Sequence, residues 1–309
     1  MIVDAIIQVV VLALGFVLLV KGADMFVDGA ASVAAKFGIP QLIIGLTVVA
    51  MGTSAPEAAV SISGAWAGNA DITIGNILGS NIMNIFIILG VSALITTLPV
   101  AKSTITIEIP IVAAATLLLM LLGRDGVITF WDGVIIFVCF IGFIIYTIIS
   151  AKRSNESAEE IKLMSIPKSL MFVVLGLAMI IFGSQLTVKS ASALAQMIGL
   201  SERFIGLTVV ALGTSLPELF TSVTAARKGN ADLAIGNIVG SNIFNLLFVV
   251  GVSGLIVNVP FVSAFSFDAL ISLVAAILLF LLCVRKKQLS RVSGIVMLAA
   301  YIAYFLYIV

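Results

Sequence analysis

One block of this sequence occurs twice. Gly45 to Gly52 reads GLTVVAMG and Gly206 to Gly213 reads GLTVVALG; GTSAPE at 52–57 returns as GTSLPE at 213–218, and GNADITIGNILGSNIMN at 68–84 as GNADLAIGNIVGSNIFN at 229–245. Every pair is offset by 161 residues without a gap. Self-similarity at a fixed offset confines a chain to architectures assembled from two like units.

Hydropathy says what the units are. With 61% hydrophobic residues, 10% charged residues and a mean hydropathy of +1.29, a soluble fold could not keep its apolar surface dry, and the chain reads as an integral membrane protein. Ten apolar runs of the length a helix needs to cross a bilayer fall at 5–29, 40–65, 72–97, 104–123, 127–150, 168–191, 202–226, 232–257, 267–284 and 292–308. The markedly polar stretch 151–168 separates them into two sets of five. The expected organisation is a first five-helix repeat over 1–150, a short connector over 151–167 and a second repeat over 168–309. Because each half holds an odd number of spans, the second copy enters the membrane from the opposite side. The fold class is therefore all-α integral membrane, ten transmembrane helices in two inverted-topology five-helix repeats, with a binding site near the midplane where the copies meet.

Orientation follows from the basic residues. With the N-terminus outside, the inner loops hold 12 of the 16 lysines and arginines, and the outer loops only Arg124 and Arg203. The positive-inside rule then places both termini outside and the connector in the cytoplasm. The N-terminus has no basic region or small-residue cleavage site, so no removable signal is expected.

Several function classes drop out. A net charge of +1 gives nothing for nucleic acid to bind. The absence of histidine removes the commonest transition-metal ligand and the usual neutral-pH acid or base. With no catalytic dyad outside the repeat, an enzyme is not expected, nor are a resident cofactor or a protein partner. Cys139 and Cys283 lie in apolar runs and read as small packing residues.

Chemistry concentrates where the repeat is polar. GTS-x-PE interrupts the second and seventh spans; Pro56 and Pro217 lack an N–H, so the carbonyls of Gly52 and Gly213 are released and the helix breaks at membrane depth. Freed backbone there must face protein, water or a bound cation. Glu57 and Glu218 are the acidic residues nearest the middle of a span; such a position costs about 2.5 kcal/mol or more and marks an ion or proton pathway. The alternative is a neutral carboxyl, or one paired with Lys21 or Lys189. In the third and eighth spans Asn76, Ser80 and Asn84, and Asn237, Ser241 and Asn245, recur every four residues and share a helix face. Gly75 and Gly79, with Gly236 and Gly240, allow close helix approach beside them. These polar residues, Asn76, Asn81, Asn237 and Asn242 above all, are alternatively helix–helix glue. Carboxylates, amides, hydroxyls and carbonyls without nitrogen or sulfur donors suit Ca2+ or Na+. Two negative charges match one divalent ion; without it they repel, so protons are expected to compete.

These residues resemble the α-repeats of the cation/calcium exchanger superfamily, with its G-[ST]-S-x-P-E and G-S-N-x-x-[ND] signatures, and in particular its prokaryotic Na+/Ca2+ exchangers. The resemblance covers essentially the whole chain. It implies four cation sites between the second, third, seventh and eighth spans, with Ca2+ bound by Glu57, Glu218 and the carbonyls of Thr53 and Thr214. Ser54, Ser80, Ala50, Ser215, Ser241, Ala211, Asn84 and Asn245 would complete the Na+ sites, and the first and sixth spans would slide as a gating pair. The short connector leaves no room for regulatory Ca2+-binding domains. Asn84 and Asn245 stand where K+-dependent relatives carry aspartate, and the missing histidine separates the chain from proton/cation exchangers. The function expected is a plasma-membrane antiporter that expels Ca2+ in exchange for Na+. It would be electrogenic and K+-independent, with membrane lipid as its surroundings; Ca2+/H+ exchange is the alternative, and a cation channel or Mg2+ pathway is a more distant one.

Overall fold

The computed structural model describes residues 2–67, 70–153, 164–198 and 211–308. Eight of its helices are long and apolar enough to cross a membrane: α1 (Asp4–Phe37), α4 (Thr73–Ile95), α5 (Thr104–Asp125), α6 (Phe130–Lys152), α7 (Ile166–Met197), α10 (Ala231–Ile256), α11 (Ser263–Val284) and α12 (Arg291–Ile308). A further candidate is the pair α2 (Gln41–Thr53) and α3 (Ala55–Trp66), bent by 51° at the break between them. The expected seventh span, 202–226, is described only from residue 211, as α8 (Ala211–Thr214) and α9 (Leu216–Arg227). Its earlier part and residues 154–163 of the connector lie outside the described residues. The protein is thus an all-α membrane protein, and its helix ends fall within a few residues of those read from hydropathy, except in α1 and α7. Hydropathy ends the first span at 29. The helix runs on because Ala30, Ala31 and Ala34 are good helix formers packed inward, and it ends before Gly38, at φ +62°, and Pro40.

Burial ranks the helices. The central stretches of α4 and α10 are 78% and 83% buried, against 17% for α1 and α12, so α4 and α10 form the core and the others present apolar side chains to lipid. Both core helices loosen into a π-helical turn, at Asn84–Leu89 and Phe244–Val249; such turns are frequent at functional sites.

Two features have no counterpart in the hydropathy pattern. Short strands sit between the spans: β1 (Leu98–Pro99) pairs antiparallel with β4 (Gln288–Leu289), and β2 (Val127–Ile128) with β3 (Val259–Pro260). Each ladder joins one half of the chain to the other, and the flanking bonds Val100 N–H to Lys287 O and Phe261 N–H to Gly126 O, at 2.9 and 2.8 Å, extend both in the same way. The connectors run extended, and their ladder bonds go to the opposite half.

The second is the seam between α1 and α7. Gly15 faces Gly183, Gly22 faces Gly176 and Gly29 faces Ser169, an antiparallel heptad register in which one backbone lies on the other. A Cβ at Gly176 would meet the Phe26 nitrogen at 2.6 Å. Gly176→Val is therefore expected to destabilise the protein by about 1–3 kcal/mol, the usual effect of overpacking. Its unfolding midpoint in detergent should fall; an unchanged midpoint would mean that the seam is loose.

Candidate functional site

The breaks position the carboxylates. Ser54 (φ −83°, ψ 6°) and Ser215 (φ −89°, ψ 3°) leave the helical region, and Pro56 and Pro217 sit in the opening turns of α3 and α9, where a missing N–H costs nothing. Each break starts a new helix inside the protein, with Glu57 or Glu218 in its first turn, where the positive end of the helix favours a negative group. Both glutamates are 1% exposed.

Bonds between the halves close the site. Ser54 Oγ donates to Glu218 Oε1 at 2.7 Å, Thr53 Oγ1 to Asn237 Oδ1 at 3.0 Å and Ser241 Oγ to the Ala50 carbonyl at 3.4 Å. The close approach this needs is supplied by Gly236 and Gly240, whose absent Cβ atoms would lie 2.7 Å from the Leu42 carbonyl and 2.6 Å from the Leu46 carbonyl. Asn76 and Asn237 take up equivalent roles. Each donates to a serine hydroxyl at 2.9 Å, Ser61 and Ser222, and to the carbonyl of its own half's motif glutamate at 3.5 Å. Asn81 and Asn242 bond across the core, so the helix-to-helix role left open for these four asparagines is filled. Ala211 opens α8 and Thr214 closes it.

Hydrogen bonds do not account for the whole cluster. Glu57 Oε2, Ser80 Oγ, Asn84 Oδ1, Ser215 Oγ, Glu218 Oε2 and Asn245 Oδ1 are buried with no partner among the described residues. A buried polar atom left unpaired costs about 1–3 kcal/mol. These six are drawn from the residues singled out in the sequence, and all are oxygens that can accept. Among the described residues neither carboxylate has a lysine or arginine within ion-pair distance, so pairing with Lys21 or Lys189 does not explain them; the ion pairs present join Lys228 to Asp24 and Asp28. An arrangement of hard oxygens around two buried carboxylates can hold Na+ or Ca2+.

Sequence reasoning passes over Ser61, Ser222 and Thr221, the last also buried with an unpartnered hydroxyl. Ser61 and Ser222 follow the motif glutamates by four residues in both copies, a spacing that could reveal them. Glu108 is a further buried carboxylate that the sequence does not single out. It lies fully buried in α5, with Oε1 held by the Tyr146 hydroxyl of α6 and Oε2 without a partner among the described residues.

Comparison with known proteins bears on this geometry. A family model described as sodium/calcium exchanger protein matches residues 7–149 and 168–309. CaxA of Alkalimonas amylolytica is 41% identical over 302 residues, covering 94% of this chain and 95% of that protein. The sodium/calcium exchanger MaX1 of Methanosarcina acetivorans is 31% identical over 358 residues, covering 95% and 96%. Among solved structures, the sodium-calcium exchanger NCX_Mj soaked with 2.5 mM Na+ and 10 mM Sr2+ matches with a TM-score of 0.86 at 32% identity, over 97% of this chain and 98% of that one.

Proposed function

This chain belongs to the sodium/calcium exchanger protein family, and from that premise we propose that it is a secondary-active antiporter of the plasma membrane, expelling Ca2+ as Na+ falls inward. Glu57, Glu218 and the Thr53 and Thr214 carbonyls bind Ca2+. Ser54, Ser80, Ser215, Ser241, Asn84, Asn245 and the Ala50 and Ala211 carbonyls complete the Na+ sites. The observation that carries this reading is the set of six buried oxygens without a donor, two of them carboxylate. A cation is the partner that satisfies all of them at once, and two carboxylates balance one divalent charge. Because either ion needs the same carboxylates, occupancy is mutually exclusive and alternating access couples the fluxes. Ten spans in two inverted halves with both termini outside complete the proposal, supported by the repeat and by the 12 to 2 distribution of basic residues.

Uptake of radiolabelled Ca2+ into Na+-loaded proteoliposomes tests it. Uptake is expected to follow the outward Na+ gradient at fixed pH. It should persist when choline replaces K+ on both sides, since Asn84 and Asn245 offer neutral oxygens and no extra carboxylate. Uptake driven by protons and indifferent to Na+ would move the assignment to Ca2+/H+ exchange. Flux without any counter-ion would make the protein a channel, and a K+ requirement would overturn the role given to the two asparagines.

A further inference from the structure

Asn81 and Asn242 stand at the centre of a network of four carboxamides that belongs to neither half alone. Asn81 Nδ2 donates to the Asn242 backbone carbonyl and Asn242 Nδ2 to that of Asn81, both at 3.2 Å. Asn84 Nδ2 donates to Asn242 Oδ1 at 2.9 Å, and Asn245 Nδ2 to Asn81 Oδ1 at 3.2 Å. All four side chains are buried, and two of their oxygens, Asn84 Oδ1 and Asn245 Oδ1, have no partner among the described residues.

One chemical fact sets the sense of the network: a backbone carbonyl can only accept. The nitrogen of Asn81 must therefore face the Asn242 carbonyl, which turns the Asn81 oxygen toward Asn245. That oxygen also only accepts, so Asn245 must offer it the NH2 group and turn its own oxygen away, free for a cation. The same steps from Asn242 orient Asn84. Without this control a carboxamide can flip and present two partly positive hydrogens to a cation.

We propose that Asn81 and Asn242 are positioning residues that fix the carboxamides of Asn245 and Asn84, oxygen toward the cation, and thereby set cation affinity. The inference rests on the reading of Asn84 and Asn245 as cation ligands. Asn81 lies one helical turn from Asn84, yet it orients the ligand of the opposite half, so each copy of the repeat controls the other's oxygen.

The test is a double-mutant cycle on Na+-driven Ca2+ uptake in proteoliposomes, reading the Ca2+ KM separately from the maximal rate. Asn245→Ala should raise the KM about ten-fold, the scale of one hydrogen bond or ligand to a charge. Asn81→Ala should raise it by a similar factor with the maximal rate kept, and the double variant should be no worse than Asn245→Ala alone. Multiplying effects, or a lower maximal rate at unchanged KM, would show that Asn81 acts through packing and would overturn the proposal. Asn245→Ala with a normal KM would instead remove Asn245 from the site and take the ligand assignment down as well. Should Asn81→Ala not give monodisperse protein, the mirror cycle of Asn242 with Asn84 reads the same coupling, and serine in place of alanine keeps a small polar group in the core.

Discussion

Glu57→Gln and Glu218→Gln should each abolish exchange. Removing one member of a buried charge pair costs about 3–5 kcal/mol, so Ca2+ transport should fall by at least about a hundred-fold. The fold should survive, since glutamine keeps the shape and ends the repulsion between two carboxylates in a space without basic residues. The expected signature is a variant as stable as the parent in the absence of Ca2+, but no longer stabilised by adding it, because stabilisation by a ligand requires binding to the folded state. Glu108→Gln is the control. That carboxyl is equally buried, but its bonded partner is Tyr146 rather than a residue of the candidate site, and its neutralisation should leave exchange near the parental rate. A Glu57 or Glu218 variant that transports normally would take both residues out of the site.

The second large effect is electrical. On the proposed site one Ca2+ would neutralise the two glutamates, whereas three Na+, the count that the family resemblance implies, would leave one positive charge on the Na+-loaded branch. Moving one elementary charge across the membrane is worth about 2.3 kcal/mol per 100 mV, or about fifty-fold in the equilibrium Ca2+ ratio. The additional Na+ would rest on neutral oxygens such as Ser80 and Ser241. With the vesicle potential clamped by K+ and valinomycin, an interior made negative is expected to slow Ca2+ uptake driven by Na+ exit. Uptake indifferent to voltage would reduce the count to two Na+ per Ca2+.

Much of this architecture is legible in the amino-acid sequence, for reasons that differ by feature. Span ends are readable because hydrocarbon admits only helices with satisfied backbone, and the breaks because proline acts locally on its own turn. Glu57 and Glu218 stand out through the expense of a carboxylate at that depth. What escapes is pairing between residues far apart in the chain. Nothing in Leu98–Pro99 announces Gln288–Leu289 as its partner, and no spacing rule says that the Asn81 oxygen meets Asn245 rather than Asn84. Glu108 escapes because the hydroxyl that bonds it, Tyr146, lies 38 residues away in the chain.

The two strand ladders have a consequence for the time at which the molecule comes into being. A ribosome delivers the first half with β1, β2 and Asn81 already made, while the groups they bond lie at Val259–Pro260, Gln288–Leu289, Asn242 and Asn245. Until those residues have been made, the strand edges between the early spans have only water to bond, and the Asn81 carboxamide lacks its partners in the other half. These bonds between the halves therefore form only once both halves are present. A chain that stops before Gln288–Leu289 lacks the strand that pairs with β1, and one that stops before Asn242 leaves the Asn81 carboxamide without its acceptor.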